Sequence, residues 1–174
     1  SHGSTLKDGV NGVDGLNGAK GITLSPDQRH AYVAGYNDNS ISWFEANSTT
    51  GSLTYRGTLN DGDNGIIDGL SGAHDVTISN DGNFLYVAGF SDNSVSWFER
   101  NASTGSLTFS GIVKNGANGI SNLLSVYSVC LSPDGQHLYA TSFNDHAISW
   151  FDRDESTGGL AYRGSVQDNQ NGVD

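Results

Sequence analysis

Asn39-Ser40-Ile41-Ser42-Trp43-Phe44-Glu45 is a seven-residue stretch that occurs three times in this chain. It returns as Asn93-Ser94-Val95-Ser96-Trp97-Phe98-Glu99 and again as His146-Ala147-Ile148-Ser149-Trp150-Phe151-Asp152. The three tryptophans lie 54 and 53 residues apart in the sequence. Self-similarity at a fixed period of this length is typical of repeat proteins, so the stretch predicts a chain built from three like units.

Each unit contains four predicted β-strands in the same order. In the first unit they are the apolar segment 21–25, the segments 30–35 and 40–45, and the segment 53–59, all rich in β-forming residues. Turn residues such as Ser25-Pro26-Asp27 separate the strands, and no segment shows a sustained helical period. Four short strands per unit of about 53 residues predict an all-β fold, a β-propeller with three four-stranded blades in this chain.

Propeller blades are favoured over a sandwich because the three units are alike throughout, so each must meet the same environment on both sides. Each unit carries aromatic residues that can pack against a neighbouring blade; in the first unit they are Tyr32, Trp43, Phe44 and Tyr55. For the tryptophans, packing in the core is favoured over a role as sugar-stacking platforms. A β-solenoid is the alternative architecture, but its coils are usually much shorter than this repeat.

The repeats divide the chain into five segments. We expect residues 1–4, Ser-His-Gly-Ser, to remain from tag removal, since the chain also has no methionine. The blade repeats are 5–57, 58–111 and 112–164. Residues 165–174 match residues 5–14 and predict the start of a further repeat. These features predict an excised or engineered fragment of a larger propeller.

The composition argues against several classes of partner. The 174 residues carry a net charge of −11, so electrostatics give no reason to bind nucleic acid or anionic lipid. No apolar run approaches the roughly 18 residues of a membrane span, and no signal peptide is visible, so we expect a soluble protein of unknown compartment. Cys130 is the one cysteine, which rules out an internal disulfide. It replaces the threonines of the other repeats, which predicts a small buried residue rather than a catalytic thiol.

Oxygen-rich loops between the units form the first candidate site. In the richest loop, the residues spaced as Ca²⁺ ligands can be are Asp61, Asp63, Asn64 and Asp68. The third unit lacks the carboxylates at these positions. Ordinary turn chemistry is therefore the favoured interpretation, with Ca²⁺ binding as the alternative and no other cofactor expected.

The start of the first strand of each unit forms the second candidate site. Lys20, His74 and Tyr127 occupy equivalent positions in the three repeats and differ where the scaffold is constant. We expect them near the mouth of the central channel, where a small polar or anionic ligand could bind. Free drift of exposed positions is the favoured interpretation, and ligand binding is the alternative. Asp75 could orient the imidazole of His74, although no nucleophile is evident beside the pair.

Asp38, Asp92 and Asp145 recur in the turn between the second and third strands. Their constancy predicts a structural Asx turn in each unit. Carboxylates repeated once per blade would lie too far apart for a glycosidase acid–base pair, which needs a separation of roughly 5–10 Å.

Phrases around the first turn of each unit resemble a known repeat. Leu131-Ser132-Pro133-Asp134-Gly135 with His137-Leu138-Tyr139-Ala140 resembles the repeat of bacterial lactonase-like β-propellers and of their relatives with Tyr-Val-Thr-Asn-type repeats. The first unit carries the similar phrases Leu24-Ser25-Pro26-Asp27 and Ala31-Tyr32-Val33-Ala34. The resemblance covers residues 5–174 and implies a propeller; members that hydrolyse 6-phosphogluconolactone are seven-bladed. No hydrolase motif matches, so no catalytic residue is carried over.

Three blades are fewer than the typical four to eight of closed propellers. An arc of three exposes an apolar face at each end, which predicts self-association. We expect a homodimer whose head-to-tail contacts make a six-bladed ring. The main functional prediction is a non-catalytic, self-assembling scaffold or recognition module with an unknown ligand. A lactonase-like hydrolase and a Ca²⁺- or sugar-binding module are the alternatives.

Overall fold

The computed structural model describes residues 5–168, and these residues form an all-β structure. The strands are β1 (Ala19–Leu24), β2 (His30–Gly35), β3 (Ser40–Ala46), β4 (Leu53–Asn60), β5 (Ala73–Ile78), β6 (Phe84–Gly89), β7 (Ser94–Arg100), β8 (Leu107–Lys114), β9 (Val126–Leu131), β10 (His137–Ser142), β11 (Ala147–Arg153) and β12 (Leu160–Gln167). A short 3-10 turn covers Asp63–Gly65. In this part of the chain no helix is long and apolar enough to cross a membrane.

Three antiparallel four-stranded sheets confirm the predicted blades. Blade 1 has the order β1-β2-β3-β4, blade 2 the order β5-β6-β7-β8, and blade 3 the order β9-β10-β11-β12. The innermost strands β1, β5 and β9 are neighbours, so the blades follow one another in an arc that is not closed. The predicted tag remnant 1–4 and residues 169–174 of the predicted further repeat lie outside the described residues.

The outer strand of each blade crosses a predicted repeat boundary. β4 ends at Asn60, β8 at Lys114 and β12 at Gln167, whereas the sequence repeats change after residues 57, 111 and 164. The outer strand continues because it pairs along the whole third strand, as in the pairing of Asn60 with Ser40. Residues 165–167 therefore complete blade 3, although the sequence pattern assigned them to a further repeat.

The second and third strands form the buried centre of a blade. All residues of β2 are buried, and Tyr32 of β2 pairs with Trp43 of β3. Trp43 pairs in turn with Gly57 of β4, where a Cβ would lie 2.5 Å from the indole ring. The same Trp–Gly pair recurs in blades 2 and 3. Any larger residue opposite the tryptophan would collide with the indole ring, so glycine is required there. Each indole ring covers the outer strand of its own blade.

Apolar side chains between neighbouring blades form the core. Between blades 1 and 2 they include Tyr32, Ala34, Ile41, Leu85, Val87 and Phe98. Between blades 2 and 3 they include Tyr86, Val95, Leu138 and Phe151. Trp43 and Trp97 are partly buried and pack against these two cores, which agrees with the predicted packing role. Burial of one such large side chain stabilises the fold by about 1.5–3 kcal/mol, so contact between blades dominates stability.

An arginine connects the polar groups that the core between blades 1 and 2 encloses. Arg100 Nε donates to the Tyr32 hydroxyl (2.9 Å), and Arg100 Nη2 donates to Asp27 Oδ2 (2.7 Å). The Tyr32 hydroxyl donates to the carbonyl oxygen of Gly105 (2.9 Å). Burial outweighs the nearby guanidinium and raises the pKa of Tyr32 to about 12, so the hydroxyl keeps its proton and remains a donor.

The two outward faces of the arc are exposed. On blade 1, Ile22 and Leu24 of β1 are 63% and 49% exposed, although the equivalent residues of blades 2 and 3 are buried or half-buried. On blade 3, Ile148 and Val166 are 50% and 42% exposed. Cys130 lies on this same face and is exposed, so the prediction of a buried cysteine is wrong. The reason is that no further blade covers blade 3 on that side within the described residues.

Replacing Arg100 by methionine should lower the free energy of unfolding by about 2 kcal/mol, the modest value reflecting the partial exposure of Asp27. Burial raises the pKa of Asp27, but hydrogen bonds from Arg100 and Ser25 outweigh burial and hold that pKa well below its ordinary value. The wild-type advantage should therefore be full above about pH 5 and shrink as the pH falls and Asp27 becomes protonated. Urea unfolding, followed by tryptophan fluorescence at several pH values, measures the difference in the free energy of unfolding between wild type and variant.

Arg56→Met is the matched control for this experiment. Arg56 also pairs with a carboxylate, that of Glu45, but both side chains are half exposed. Solvent screens such a pair, so its loss should leave the free energy of unfolding nearly unchanged. If Arg56→Met and Arg100→Met lowered the free energy of unfolding equally, the interface arginine would contribute no more to stability than an arginine in a surface ion pair.

Candidate functional site

Lys20, His74 and Tyr127 lie at β-bulges in the inner strands of the three blades. In β5 the pairing with β6 skips His74, because the ladder passes from residue 73 directly to residue 75. β1 and β9 show the same irregularity around Lys20 and Tyr127. A bulge re-aims a side chain out of the regular alternation and is common beside active sites. At these three positions the regular pairing of the inner strand is therefore interrupted, unlike in the rest of each strand.

The three side chains line one shallow cavity with a volume of about 310 Å³. They meet because the inner strands approach one another closely. Gly21 allows this approach, since a Cβ at that position would lie 2.7 Å from the Cα of Asp75. Lys20 of blade 1 is thereby brought beside His74 of blade 2. The structure thus assembles the trio that the sequence singled out, each member contributed by a different blade.

Aromatic rings surround His74. Its ring centroid lies 3.9 Å from that of Tyr127, 5.9 Å from that of Phe90 and 6.0 Å from that of Tyr36. The ring of Phe143 lies 6.1 Å from Tyr127 and extends the series. We call these five side chains the aromatic row. Sequence reasoning missed Tyr36, Phe90 and Phe143, although one aromatic residue directly follows the second strand in every repeat, a signal that could have found them.

The hydrogen bond of His74 determines which ring nitrogen carries the proton. His74 Nδ1 lies 2.8 Å from the carbonyl oxygen of Tyr127. A carbonyl oxygen only accepts, so Nδ1 donates and Nε2 holds the lone pair in the neutral ring. Burial lowers the pKa of His74, the Lys20 ammonium lowers it further, and together they outweigh the hydrogen bond to Tyr127. His74 is consequently a neutral base at pH 7.

Lys20 supplies positive charge at one end of the row. Its Nζ lies 5.5 Å from the ring centroid of Tyr36, a cation–π distance. The side chain is exposed, as is that of Tyr127. The cavity therefore offers a neutral imidazole, an ammonium group and accessible ring surface within a small space.

Asp75 does not orient His74, so that part of the sequence hypothesis is wrong. Asp75 Oδ2 accepts hydrogen bonds from Ser128 Oγ (2.5 Å) and from the backbone N–H of Val129 (3.1 Å). The carboxylate therefore joins the inner strand of blade 2 to that of blade 3. The carbonyl oxygen of Tyr127 fixes the imidazole instead.

The predicted calcium loop is only partly brought together. Asp61 and Asp68 place carboxylate oxygens within 4.8 Å of each other and of Asp92. Asp63 instead accepts a hydrogen bond from a backbone N–H of its own turn, and Asn64 shapes that turn with a φ of 55°. Two of the four predicted ligands thus serve the turn, and Asp92 of the β6–β7 connection joins the remaining pair.

Lys114 already supplies positive charge beside this carboxylate group. Its Nζ lies 2.8 Å from Asp68 Oδ1 and 3.9 Å from Asp92 Oδ1. Blade 1 carries Asn60 at the position of Lys114. The equivalent carboxylates there, which also lie within 4.8 Å of one another, are Asp8, Asp14 and Asp38. The oxygen donors suit Ca²⁺, the lysine competes with it in blade 2, and calcium binding stays a prediction.

Asp38, Asp92 and Asp145 are structural, as predicted, but they do not close an Asx turn in their own hairpin. The Oδ2 atom of each accepts a hydrogen bond from a backbone N–H 21 residues earlier in the chain. The donors are Asn17, Ser71 and Leu124. Each carboxylate therefore fastens the loop that leads into the inner strand, a contact between distant residues that a local pattern could not reveal.

A family model gives independent evidence for the architecture. The model described as lactonase, seven-bladed β-propeller matches residues 10–173. The chain belongs to this family. A relative in this lactonase family, the 6-phosphogluconolactonase of Bacillus subtilis (strain 168), is 27% identical over 161 residues, which cover 89% of this chain and 44% of that protein.

Two solved structures illustrate the same fold. The periplasmic gluconolactonase of Pseudomonas aeruginosa superposes with a TM-score of 0.73 at 23% identity, covering 87% of this chain and 40% of that one. A Bacteroides uniformis protein with a provisional 6-phosphogluconolactonase assignment gives a TM-score of 0.75 at 22% identity, covering 90% and 42%. The chain spans less than half the length of these relatives, in keeping with three blades of seven.

His74 should titrate below the ordinary imidazole pKa of about 6.5. Burial is the main cause, so Tyr127→Ala, which uncovers the ring but keeps the backbone carbonyl, should move the titration back toward 6.5. The same shift means that the folded state loses stability as the pH falls below about 6.5, where the unfolded chain takes up the proton first. NMR titration of the His74 ring proton on Cε1 measures the pKa directly.

Tyr139→Ala is the control, since Tyr139 is an exposed tyrosine outside the aromatic row. It should leave the titration of His74 where it is in the wild type. A wild-type pKa at or above 6.5 would contradict the arrangement described for the site.

Proposed function

We propose that this chain is part of a propeller that binds sugar lactones at the aromatic row and hydrolyses them. The observation that carries the proposal is the convergence of Lys20, His74 and Tyr127, from three blades, on one cavity. Relatives named as a 6-phosphogluconolactonase and a gluconolactonase favour this alternative over the non-catalytic scaffold that was the main sequence prediction. The activity is proposed for the complete propeller, because these blades span less than half of such a protein.

The aromatic row suits the recognition of a sugar-derived ring. Tyr127 and Phe143 are 47% and 61% exposed, so their rings are accessible to the C–H face of a lactone. Lys20 attracts substrates that carry a phosphate or a carboxylate. His74 and Tyr127 replace this cation in blades 2 and 3, so the anionic group would lie on the side of blade 1.

His74 is suited to act as the general base in lactone hydrolysis. In the proposed reaction, Nε2 of the neutral ring takes a proton from water as the water oxygen forms a bond to the lactone carbonyl carbon. The bond from that carbon to the ring oxygen then breaks, and the ring oxygen takes the proton from Nε2. The product is the open hydroxy acid, and His74 returns to its neutral form.

Hydrolysis of gluconolactone and 6-phosphogluconolactone at pH 7, corrected for spontaneous opening, tests this function. His74→Ala should lower kcat/KM by roughly a hundredfold or more. Lys20→Met should weaken binding of the phosphorylated lactone more than binding of the neutral lactone. Saturation-transfer NMR with gluconate and 6-phosphogluconate measures binding separately from turnover, so a binding site in an inactive arc of blades is still detected.

His146→Asn is the matched control, because it installs the residue that blades 1 and 2 carry at the same position and lies outside the aromatic row. It should leave both turnover and binding unchanged. Turnover and binding that survive His74→Ala and Lys20→Met would refute the proposed site.

Association with a second copy of the chain is a separate proposal, supported by the exposed apolar residues on the outward faces of blades 1 and 3. The homodimer, the six-bladed ring and an engineered origin of the segment stay predictions. The strength of the association depends on polar contacts between blades as well as on apolar area.

A further inference from the structure

Both interfaces within the chain use the same polar arrangement. Between blades 2 and 3, Arg153 Nε donates to the Tyr86 hydroxyl (2.6 Å), and Arg153 Nη2 lies 3.5 Å from Asp81 Oδ2. The Tyr86 hydroxyl donates to the carbonyl oxygen of Gly158 (2.9 Å). These contacts repeat those of Arg100 between blades 1 and 2. We call the arrangement the arginine contact: a donor arginine on the later blade, and an acceptor tyrosine and aspartate on the earlier one.

The acceptor aspartate is oriented by its own turn. Asp27 Oδ1 accepts hydrogen bonds from Ser25 Oγ and from the backbone N–H of Arg29, which leaves Oδ2 for Arg100. The turn at Asp81 binds Oδ1 in the same way. Each blade therefore presents one carboxylate oxygen to the blade that follows it.

Blade 3 presents the same acceptor groups on its exposed face. Asp134 Oδ1 accepts hydrogen bonds from Ser132 Oγ and from the backbone N–H of Gln136, as in the other two turns. Tyr139 is 39% exposed, whereas its counterparts in blades 1 and 2 are 0% exposed. No arginine among residues 5–168 contacts either group. The acceptor half of an arginine contact is thus displayed on the surface.

The surroundings of these groups also match an interface between blades. Ile148 is half exposed, but its counterparts Ile41 and Val95 are completely buried against the next blade. His137 repeats His30, whose Nδ1 lies 2.9 Å from Arg100 Nη2. The apolar and polar pattern of the face is therefore that of a surface which, twice in this chain, packs against a four-stranded blade.

Blade 1 lacks the donor half of the contact. Ala46 occupies the position that Arg100 occupies in blade 2, directly after the Trp-Phe-Glu segment. Gly51 preserves the turn whose carbonyl accepts the tyrosine hydroxyl in the other blades. If blade 1 of a second copy packed on blade 3, it would offer that carbonyl and its apolar residues but no guanidinium. Asp134 would then lose water without gaining a cation, which weakens the contact.

We propose that the exposed face of blade 3 docks a four-stranded blade that carries an arginine at the position of Ala46. The displayed carboxylate and hydroxyl favour this occupant, because a planar guanidinium can satisfy both at once, as it does in the two interfaces within the chain. The arginine thus determines which blade follows which. A second copy of this chain, with Ala46, docks on the same face only weakly. This proposal does not depend on the proposed lactone chemistry.

Ala46→Arg tests the proposal by giving a second copy the donor that it lacks. Sedimentation velocity over a range of concentrations measures self-association. The dissociation constant should fall roughly 10–100-fold relative to the wild type, the range expected for a charge-assisted contact. Ala46 lies at the partly exposed end of β3, and far-UV circular dichroism should show an unchanged fold.

Two further variants separate the arginine contact from added charge. Ala46→Lys brings a positive charge without the planar fork, so it should strengthen association much less than Ala46→Arg. Ala46→Arg combined with Asp134→Asn and Tyr139→Phe removes the carboxylate charge and the hydroxyl acceptor, and should abolish the gain from the arginine. An Ala46→Arg protein that associates no more tightly than the wild type would overturn the proposal, as would a gain that survives loss of the acceptors.

An acceptor variant on the wild-type background provides an independent test. Because a wild-type second copy brings no arginine to Asp134, Asp134→Asn alone should not weaken the association of wild-type chains. A tenfold loss of association in this single variant would show that a copy with Ala46 engages the carboxylate strongly, and would refute the proposal even if Ala46→Arg failed to fold.

Discussion

Contact between the faces of neighbouring blades is the interaction on which the rest of the structure depends. A single four-stranded sheet of this sequence has apolar residues on both faces and cannot bury either face alone. Tyr32 and Tyr86 become completely buried because another blade covers them, whereas the equivalent Tyr139 stays partly exposed. The same residue type in the same strand thus differs in burial only through its neighbour. Stability in such a chain is a property of the interfaces more than of the individual blades.

The candidate site is a consequence of the same contact. Lys20, His74 and Tyr127 belong to three blades, so no single blade holds the cavity that they line. Their meeting requires the close approach of the inner strands, which Gly21 permits and which Asp75 strengthens by bonding to blade 3. A structural carboxylate therefore lies directly beside the chemically interesting imidazole. Any change that separates the blades would disperse the site before it altered a single one of these side chains.

Most of the fold was predictable because the chain repeats four β-rich segments and the same turn residues about every 53 residues. The grouping of Lys20, His74 and Tyr127 was predictable for a related reason: they vary at one position of a constant repeat. Contacts between distant residues were not predictable. Asp75 looked like a partner for its neighbour His74 but bonds to another blade, and the outward exposure of Cys130 depends on a neighbour that the local sequence does not describe. The Tyr36, Phe90 and Phe143 rings were overlooked because they follow the strands rather than lie within them.

Positions that differ between otherwise constant repeats separate into two kinds. The first kind lines a cavity. There the unlike side chains of Lys20, His74 and Tyr127 can act together on one ligand. The second kind of difference is at Arg100, which donates to Tyr32 and Asp27 across the interface between blades 1 and 2, whereas Ala46 at the same position of blade 1 offers no such donor. Identical blades could join in any order, because every face would fit every other. On the proposed docking, an arc with acceptors on blade 3 and an alanine in place of the donor on blade 1 selects its next blade by whether that blade carries the arginine.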